Sequence, residues 1–236
     1  MFPDQFCSFN GDEVCIAAAQ ASRFAKEIAG DFNPIHDPGT KRFCVPGDLL
    51  FALVLARYGL SQRMAFSFTG MVGDGVTLKF PASDEPTLTI GDAAGKSYLQ
   101  VQRQGELSRD QRLIECLSRR YVAFSGQNFP HIMVPLLAEQ KVMLNPERPL
   151  VIYESMALQM DRLDVVEPAL ELAQATLEVT GRRGDVRLGF RITEAGVPVG
   201  EGFKKLVLSG LREYDEATVQ GLVDEYEARR SAFSAA

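Results

Sequence analysis

This 236-residue sequence contains only two histidines, four scattered cysteines and no long apolar run. The cysteines form no CxxC pair and have no histidine at a ligand spacing, so we expect no metal site and reduced thiols. The longest apolar run, residues 49–56, is too short to cross a bilayer. The first residues also lack the basic and apolar regions of a signal peptide. These absences predict a cytoplasmic protein with no membrane partner.

Positive charge is also scarce, because 25 lysine and arginine residues stand against 31 aspartate and glutamate residues, for a formal net charge of −6. No basic stretch is dense enough to overturn this balance, so we expect no nucleic acid partner. Hydrophobic residues make up 46% of the chain and charged residues 24%. This composition is typical of a soluble globular protein with a sizeable core.

The spacing of apolar residues predicts two helices near the start of the chain. The first covers residues 17–29 and ends at Gly30, and the second covers residues 49–60. The second helix is apolar nearly all round, which is typical of a helix buried by a sheet. Strand patterns follow at residues 64–71, 75–80, 87–90, 98–104 and 113–124.

After Gly126 the order of predicted elements repeats. A helix is predicted at residues 130–142, and a closing amphipathic helix at residues 215–232 begins at Asp215. Strands are predicted between them at residues 150–163, 169–180, 185–193 and 197–208. A helix followed by antiparallel strands, twice over, predicts an α+β fold and not a βαβ series. We therefore expect two domains, residues 1–126 and residues 127–236.

The clearest chemical signal is the run Gly-Asp-Phe-Asn-Pro-Ile-His at residues 30–36. It places Asp31 and His36 five residues apart, across an Asn-Pro turn. A carboxylate and an imidazole held together can bind and deprotonate a water molecule. The same run is also compatible with a purely structural turn, because the side chains of Asp31 and Asn33 can bond to nearby backbone. In that reading His36 would satisfy a buried backbone carbonyl.

Together with residues 24–29, this run resembles the signature of the MaoC-like family, the (R)-specific enoyl-CoA hydratases of the hot-dog fold. The Gly, Asp, Asn, Pro and His of the signature match in register, between a helix and a long buried helix. The close similarity covers residues 17–60, and the rest of the chain agrees in element order only. The resemblance implies a double hot-dog, with two antiparallel sheets that each wrap a central helix.

The resemblance also implies a site and a reaction, the hydration of an enoyl thioester by a lyase of fatty acid metabolism. Asp31 would be the base that activates water, and His36 would share the water and deliver the proton. Asn33 would orient the loop or the thioester, and Gly47 would offer its backbone N–H to the thioester oxyanion. The implied partner is an acyl-CoA or a similar thioester, and no metal or redox cofactor is needed. The chain would act as a homodimer or as a self-sufficient monomer.

The sequence departs from the family pattern just after the motif. Asp37 follows His36 directly, and Pro46-Gly47 replaces the His-Gly pair that the family carries at the start of the buried helix. Asp48 then places a negative charge where the oxyanion is expected, and this charge would repel it. Such departures are expected of a divergent bacterial branch. They leave two other functions open: a non-catalytic protein that binds an acyl thioester or a small apolar ligand, and a hot-dog thioesterase in which a carboxylate drives water onto the thioester carbonyl.

Overall fold

The structure, a computed structural model, describes residues 2–234. Its first long helix, α1, spans Ala18–Phe24 and continues as a π-helical turn over Ala25–Ala29. Gly30 ends this helix with a left-handed backbone at a φ of 65°, a conformation that glycine adopts without strain. The helix predicted at residues 17–29 is thus confirmed, with Gly30 as its C-terminal cap.

Helix α2 spans Gly47–Tyr58 and lies at the centre of the core. Leu49, Phe51 and Val54 are completely buried although they point in different directions around the helix. Burying side chains of this size contributes about 1.5–3 kcal/mol each. A helix that is apolar all round is therefore stable only when other elements surround it, as the sequence predicts for residues 49–60.

The strands of the first half are β1 (Ser8–Asn10), β2 (Glu13–Cys15), β3 (Leu60–Phe68), β4 (Thr77–Lys79), β5 (Thr87–Gly91) and β6 (Ser97–Ser108). Those of the second half are β7 (Val142–Met143), β8 (Leu150–Met160), β9 (Ala169–Thr180), β10 (Arg183–Glu194), β11 (Val197–Ser209) and β12 (Arg212–Glu213). Every pairing between these strands is antiparallel.

Ten of these strands form one continuous sheet in the order β1-β2-β4-β5-β6-β3-β8-β11-β10-β9. The two halves meet where β3 pairs with β8, with Arg63 opposite Gln159 and Ser67 opposite Ser155. The α+β hot-dog fold class is therefore confirmed, since antiparallel strands wrap a long apolar helix. The sheets of the two halves are joined edge to edge into one.

Helix α3 spans Gln111–Gly126, so the strand predicted at residues 113–124 is wrong. Asp110 begins the helix by accepting hydrogen bonds from the backbone N–H groups of Arg112 at 2.8 Å and Leu113 at 2.9 Å. The buried side chains of α3 are at positions 113, 114, 117, 118, 121, 122 and 125. They follow the helical period of 3.6 and not the strand period of 2, which explains the error.

Helix α3 packs beside α2, where the ring centres of Tyr121 and Phe51 are 4.6 Å apart. Helix α4 spans only Met133–Glu139, whereas the sequence predicts a helix over residues 130–142. The long helix next to α2 is therefore α3. The division into domains at residue 126 stays a prediction.

The closing helix, α5, spans Glu216–Ser234 and confirms the helix predicted at residues 215–232. Asp215 Oδ1 accepts a hydrogen bond from the backbone N–H of Thr218 at 2.8 Å, as expected of an N-cap. Val219 and Tyr226 are its buried residues. Of the helices in residues 2–234, none is long and apolar enough to cross a membrane.

Candidate active site

Residues 30–36 form a compact loop directly after the π-helical turn. Asp31 Oδ1 accepts a hydrogen bond from Asn33 N at 2.9 Å, and Asn33 Oδ1 accepts one from Ile35 N at 3.1 Å. The second bond caps a single 3₁₀ turn over Pro34–His36. These are the bonds that Asp and Asn side chains make in turns, so the loop is held by its own side chains.

Asp31 and His36 meet across this loop, with His36 Nε2 3.5 Å from Asp31 Oδ2. His36 Nδ1 donates a hydrogen bond to the Cys44 carbonyl at 2.7 Å, which fixes the orientation of the ring. The side chains of Asp31 and His36 are 27% and 12% exposed, and both line one cavity. The structure thus brings together the carboxylate and the imidazole that the sequence singles out.

Each member of this pair stabilises the charged form of the other. Burial works to raise the pKa of Asp31, but the hydrogen bond and charge of His36, with the Asn33 N–H, hold it below its ordinary value. Burial likewise works to lower the pKa of His36, but Asp31 outweighs it and raises the pKa above its ordinary value. The pair therefore favours a carboxylate beside an imidazolium.

Helix α2 begins in the wall of the same cavity, at Gly47. A Cβ atom on Gly47 would lie 2.9 Å from Tyr153 Cδ1 and 3.0 Å from Phe68 Cε1, so a larger residue would press on both rings. The N–H groups in the first turn of a helix have no intrahelical partner and attract negative charge. Gly47 and Asn33 thus lie on the same cavity as the pair, as the resemblance implies.

Asp48, the next residue of α2, belongs to a buried cluster with Ser125 of α3 and Lys204 of β11. Asp48 accepts hydrogen bonds from Ser125 Oγ at 2.8 Å and 2.7 Å. Lys204 Nζ donates to the Ser125 carbonyl at 3.2 Å and also to Ser125 Oγ. The three residues are 7%, 3% and 6% exposed and line the cavity. We call them the deep cluster, and within it the negative charge at the start of α2 is balanced by a cation.

Burial has the larger influence on the ionisable groups of the deep cluster. It raises the pKa of Asp48 above its ordinary value, although the charge of Lys204 and the hydrogen bond from Ser125 oppose it. It lowers the pKa of Lys204, opposed by the charges of Asp48 and Asp31. The proton affinities of Asp48 and Lys204 are therefore closer to each other than they are in water.

Several contacts fix the end of α3 that carries Ser125. A Cβ atom on Gly126 would lie 2.2 Å from the Ala29 carbonyl oxygen, so only glycine permits this approach to the end of the π-helical turn, just before the loop. Asn128 donates its side-chain amide to the Ser125 carbonyl at 2.7 Å. The Lys204 ammonium lies 4.3 Å from the centre of the Tyr153 ring. Ser125 is thereby held between the loop and the sheet.

Lys204 is not predicted from the sequence, although one signal reveals it. Leu206 and Leu208 are buried and share a face of β11 with Lys204, because strand side chains alternate. A lysine in register with buried leucines is unusual unless it is paired. Ser125 offers no such signal, because its position depends on α3 being a helix.

The cavity that joins the pair to the deep cluster has a volume of about 630 Å³. This lies within the range of small-molecule sites. Its wall is mostly apolar and comes from both halves of the chain, with Phe32, Ile35, Leu50, Met133, Leu144 and Leu206 among its residues. The site therefore combines a few polar groups with room for an apolar ligand.

Helix α5 lies in the wall of the same cavity and braces the loop from there. The Tyr226 hydroxyl donates to the Gly30 carbonyl at 3.1 Å and accepts from Phe32 N at 3.4 Å, so it bonds on both sides of Asp31. Arg229 bonds to Asp37 at 3.0 Å. Helix α5 is thus part of the site, a role that its sequence pattern does not predict.

Cys44 and His131 are also residues of chemically reactive types, but neither belongs to the Asp31–His36 pair or to the deep cluster. Cys44 lines the cavity, but burial raises the pKa of its thiol to about 11, which makes it a poor nucleophile at neutral pH. His131 is exposed and lies outside the cavity wall. Within residues 2–234, no group of three or more His, Cys, Asp or Glu side chains could hold a metal ion.

Comparison with known proteins gives a family but no activity. The family model described as "Protein of unknown function (DUF3581)" matches residues 1–217. No curated protein matches this chain.

Several solved structures resemble the chain at low identity. The tesB protein of Mycobacterium avium subs paratuberculosis is 8% identical, with a TM-score of 0.46 over 86% of this chain and 95% of that one. A conserved protein of unknown function with hot dog fold from Alicyclobacillus acidocaldarius is 10% identical, with a TM-score of 0.45 over 87% and 97% of the two chains. The peroxisomal multifunctional enzyme type 2 of Drosophila melanogaster is 12% identical, with a TM-score of 0.45 over 83% of this chain and 48% of that one.

Proposed function

The chain belongs to the DUF3581 family, and we propose from its site that it is a MaoC-like hydratase that adds water to the C2=C3 bond of an enoyl thioester. The observation that carries this proposal is the Asp31–His36 pair on the wall of a mostly apolar cavity. Both side chains border the space that an acyl group would occupy. A water molecule can therefore contact Asp31 Oδ2 and His36 Nε2 beside the substrate.

The two side chains divide the proton transfers of hydration. Asp31 is ionised at neutral pH because its pKa is lowered, so it can take a proton from the water that attacks C3. His36 has a raised pKa and a fixed ring, so its protonated Nε2 can deliver a proton to C2. Return of the proton from Asp31 to His36 then restores the pair.

The remaining residues would hold the thioester. Gly47 would offer its backbone N–H to the thioester oxygen, which becomes negative as C2 gains electron density. Asn33 uses its Oδ1 to cap the 3₁₀ turn, which leaves its Nδ2 for the substrate. Lys204 supports this assignment, because its charge offsets the Asp48 charge that would otherwise repel the oxygen.

The test is hydration of crotonyl-CoA and longer 2-enoyl-CoA substrates, followed by loss of the enoyl thioester absorbance. We expect Asp31→Asn and His36→Ala each to lower kcat/KM by about 10²–10⁴-fold, the usual contribution of a general acid or base. His131→Ala is the matched control, because His131 lies outside the cavity wall.

Other results would assign the other functions. A wild-type protein that hydrates no enoyl-CoA of any chain length contradicts the proposal. Release of free CoA thiol from that inert protein would indicate a thioesterase. Thermal stabilisation by the thioester without turnover would indicate a binding protein.

A further inference from the structure

We propose that the deep cluster is a second reactive centre, in which Ser125 attacks the carbonyl carbon of an acyl thioester and is transiently acylated. This inference rests on the proposed function only in one respect, the binding of a thioester in the cavity. The attacking atom is Ser125 Oγ, the base is Asp48 and the cation beside them is Lys204.

The hydrogen bonds of Ser125 match those of an activated nucleophile. A serine hydroxyl has a single proton, and both Asp48 oxygens lie within 2.8 Å of Oγ, so this proton is directed at the carboxylate. The Lys204 ammonium donates to the same oxygen. A base that takes the proton and a cation that stabilises the resulting charge are the groups that such a hydroxyl requires.

The arrangement is unusual for a cluster that only balances charge. Oppositely charged buried side chains normally contact each other, because direct pairing best offsets the cost of burial. Among residues 2–234, Asp48 and Lys204 make no ion pair within 4.0 Å, and each contacts Ser125 instead. The hydroxyl thus stands between the carboxylate and the ammonium, on the wall of the cavity.

The neighbours of the cluster hold it ready for reaction. Ser125 is fixed through its carbonyl by Asn128 and Lys204, and Lys204 is fixed over the Tyr153 ring. Burial makes Asp48 a stronger base by raising its pKa. A preorganised group of this kind needs little rearrangement when charge develops.

The reaction balances without an oxidant or another co-reactant. As the bond from Ser125 Oγ to the thioester carbon forms, the hydroxyl proton passes to Asp48. The carbon–sulfur bond then breaks, and Asp48 returns the proton to the departing thiolate, which leaves a thiol and an acyl-Ser125 ester. Water attacks this ester, its proton passes through Asp48 to Ser125 Oγ, and a carboxylic acid is released.

A saturated acyl thioester separates this reaction from hydration, because it has no C2=C3 bond. We would incubate the full chain with octanoyl-CoA and follow thiol release and the mass of the acid-quenched protein. The expected result is release of CoA thiol and a mass gain of one octanoyl group on the peptide that contains Ser125. Ser125→Ala is expected to lose both, and Asp48→Asn to slow both by about 100-fold or more.

Two further variants keep the test decisive. Ser118→Ala is the matched control, since Ser118 is buried on α3 two turns before Ser125 and lies outside the cavity wall. Ser118→Ala is expected to acylate like the wild type. Ser125→Cys keeps a nucleophile of similar size and is expected to hold the octanoyl group as a thioester, which covers the case in which Ser125→Ala does not fold.

The inference is overturned if the wild type neither gains mass nor releases thiol with any saturated acyl-CoA in a series of short, medium and long acyl chains. It is also overturned if Ser125→Ala releases thiol at the wild-type rate, because water would then be the nucleophile. Acylation without hydration contradicts only the proposed function, and hydration without acylation contradicts only this inference.

Discussion

The Asp31–His36 pair and the deep cluster line one cavity, but they are built in opposite ways. The members of the pair lie 3.5 Å apart, and their contact lowers the pKa of Asp31 and raises that of His36. In the deep cluster, Asp48 and Lys204 meet only through Ser125, and burial raises the pKa of Asp48 and lowers that of Lys204. Two aspartates on one cavity thus differ in proton affinity because one touches its cation and the other does not.

The largest effect on stability is expected from removing the cation of the deep cluster. Lys204→Met leaves Asp48 buried without a positive partner, so we expect the free energy of unfolding to fall by about 3–5 kcal/mol. The measurement is chemical denaturation at neutral pH. The adjacent Lys205 pairs with Glu154 at 2.9 Å on the surface, so Lys205→Met is the control and is expected to cost less than about 1 kcal/mol.

The double variant Lys204→Met with Asp48→Asn shows whether the loss is electrostatic. It removes both charges, so it is expected to regain part of the stability that Lys204→Met loses. If the single and double variants lose the same free energy of unfolding, the loss comes from the packing of the Lys204 stem and not from its charge.

A smaller effect is expected at the start of α2, between the two centres. Gly47→Ala places a methyl group against Tyr153 and Phe68, and we expect it to lower the free energy of unfolding by about 1–3 kcal/mol. Thermal unfolding is the measurement. Gly221→Ala is the control, because Gly221 is a residue of α5 with open space around it. Its change is expected to be stabilising by about 0.5–1 kcal/mol, since alanine favours helices. A stabilising Gly47→Ala would show that the two rings move aside easily.

The pair itself depends on local bonds, and these can be weakened singly. Asn33→Ala removes the cap of the 3₁₀ turn that carries His36, so we expect a loss of about 1 kcal/mol in the free energy of unfolding. Asn33→Asp keeps an acceptor for the Ile35 N–H and is expected to lose less. If the two variants were equally destabilised, the cap would not be what holds His36 in place.

The smallest expected effect is the pH dependence of the pair. His36 has a raised pKa in the folded state, so its contribution to stability is complete below its unfolded pKa and is lost as pH rises through the folded pKa. Asp31 has a lowered pKa, so its contribution is present above its unfolded pKa and is lost as pH falls through the folded pKa. The pair therefore stabilises the fold most between these two transitions.

This titration can be followed directly, because the chain has only two histidines and their imidazole signals in an NMR spectrum are easily assigned. We expect the His36 signal to titrate above the ordinary value of about 6.5, and Asp31→Asn to lower its midpoint. A wild-type midpoint at or below about 6.5 would mean that Asp31 and His36 do not pair in solution.

The pair was predictable because Asp31, Asn33 and His36 lie within one turn, where spacing determines which side chains meet. The deep cluster was not, because its three residues meet only after α2, α3 and β11 pack together. Because residues 113–124 were interpreted as a strand, Ser125 was not recognised as a buried residue of a helix. The spacing of Leu113, Leu117 and Tyr121 is nevertheless helical. The joining of the two sheets could not be predicted either, because it depends on the pairing of β3 with β8, two strands that are far apart in the sequence.

Tyr226 bonds to the backbone of Gly30, which lies 196 positions earlier in the chain, and to the backbone of Phe32, which lies 194 positions earlier. A ribosome adds about 5–20 residues per second, so roughly 10–40 s separate the synthesis of the loop from that of the residue that braces it. During that interval the nascent chain carries Asp31 and His36 without Tyr226. Completion of the loop therefore has to wait for the synthesis of α5, so a chain that still lacks α5 does not present the finished site.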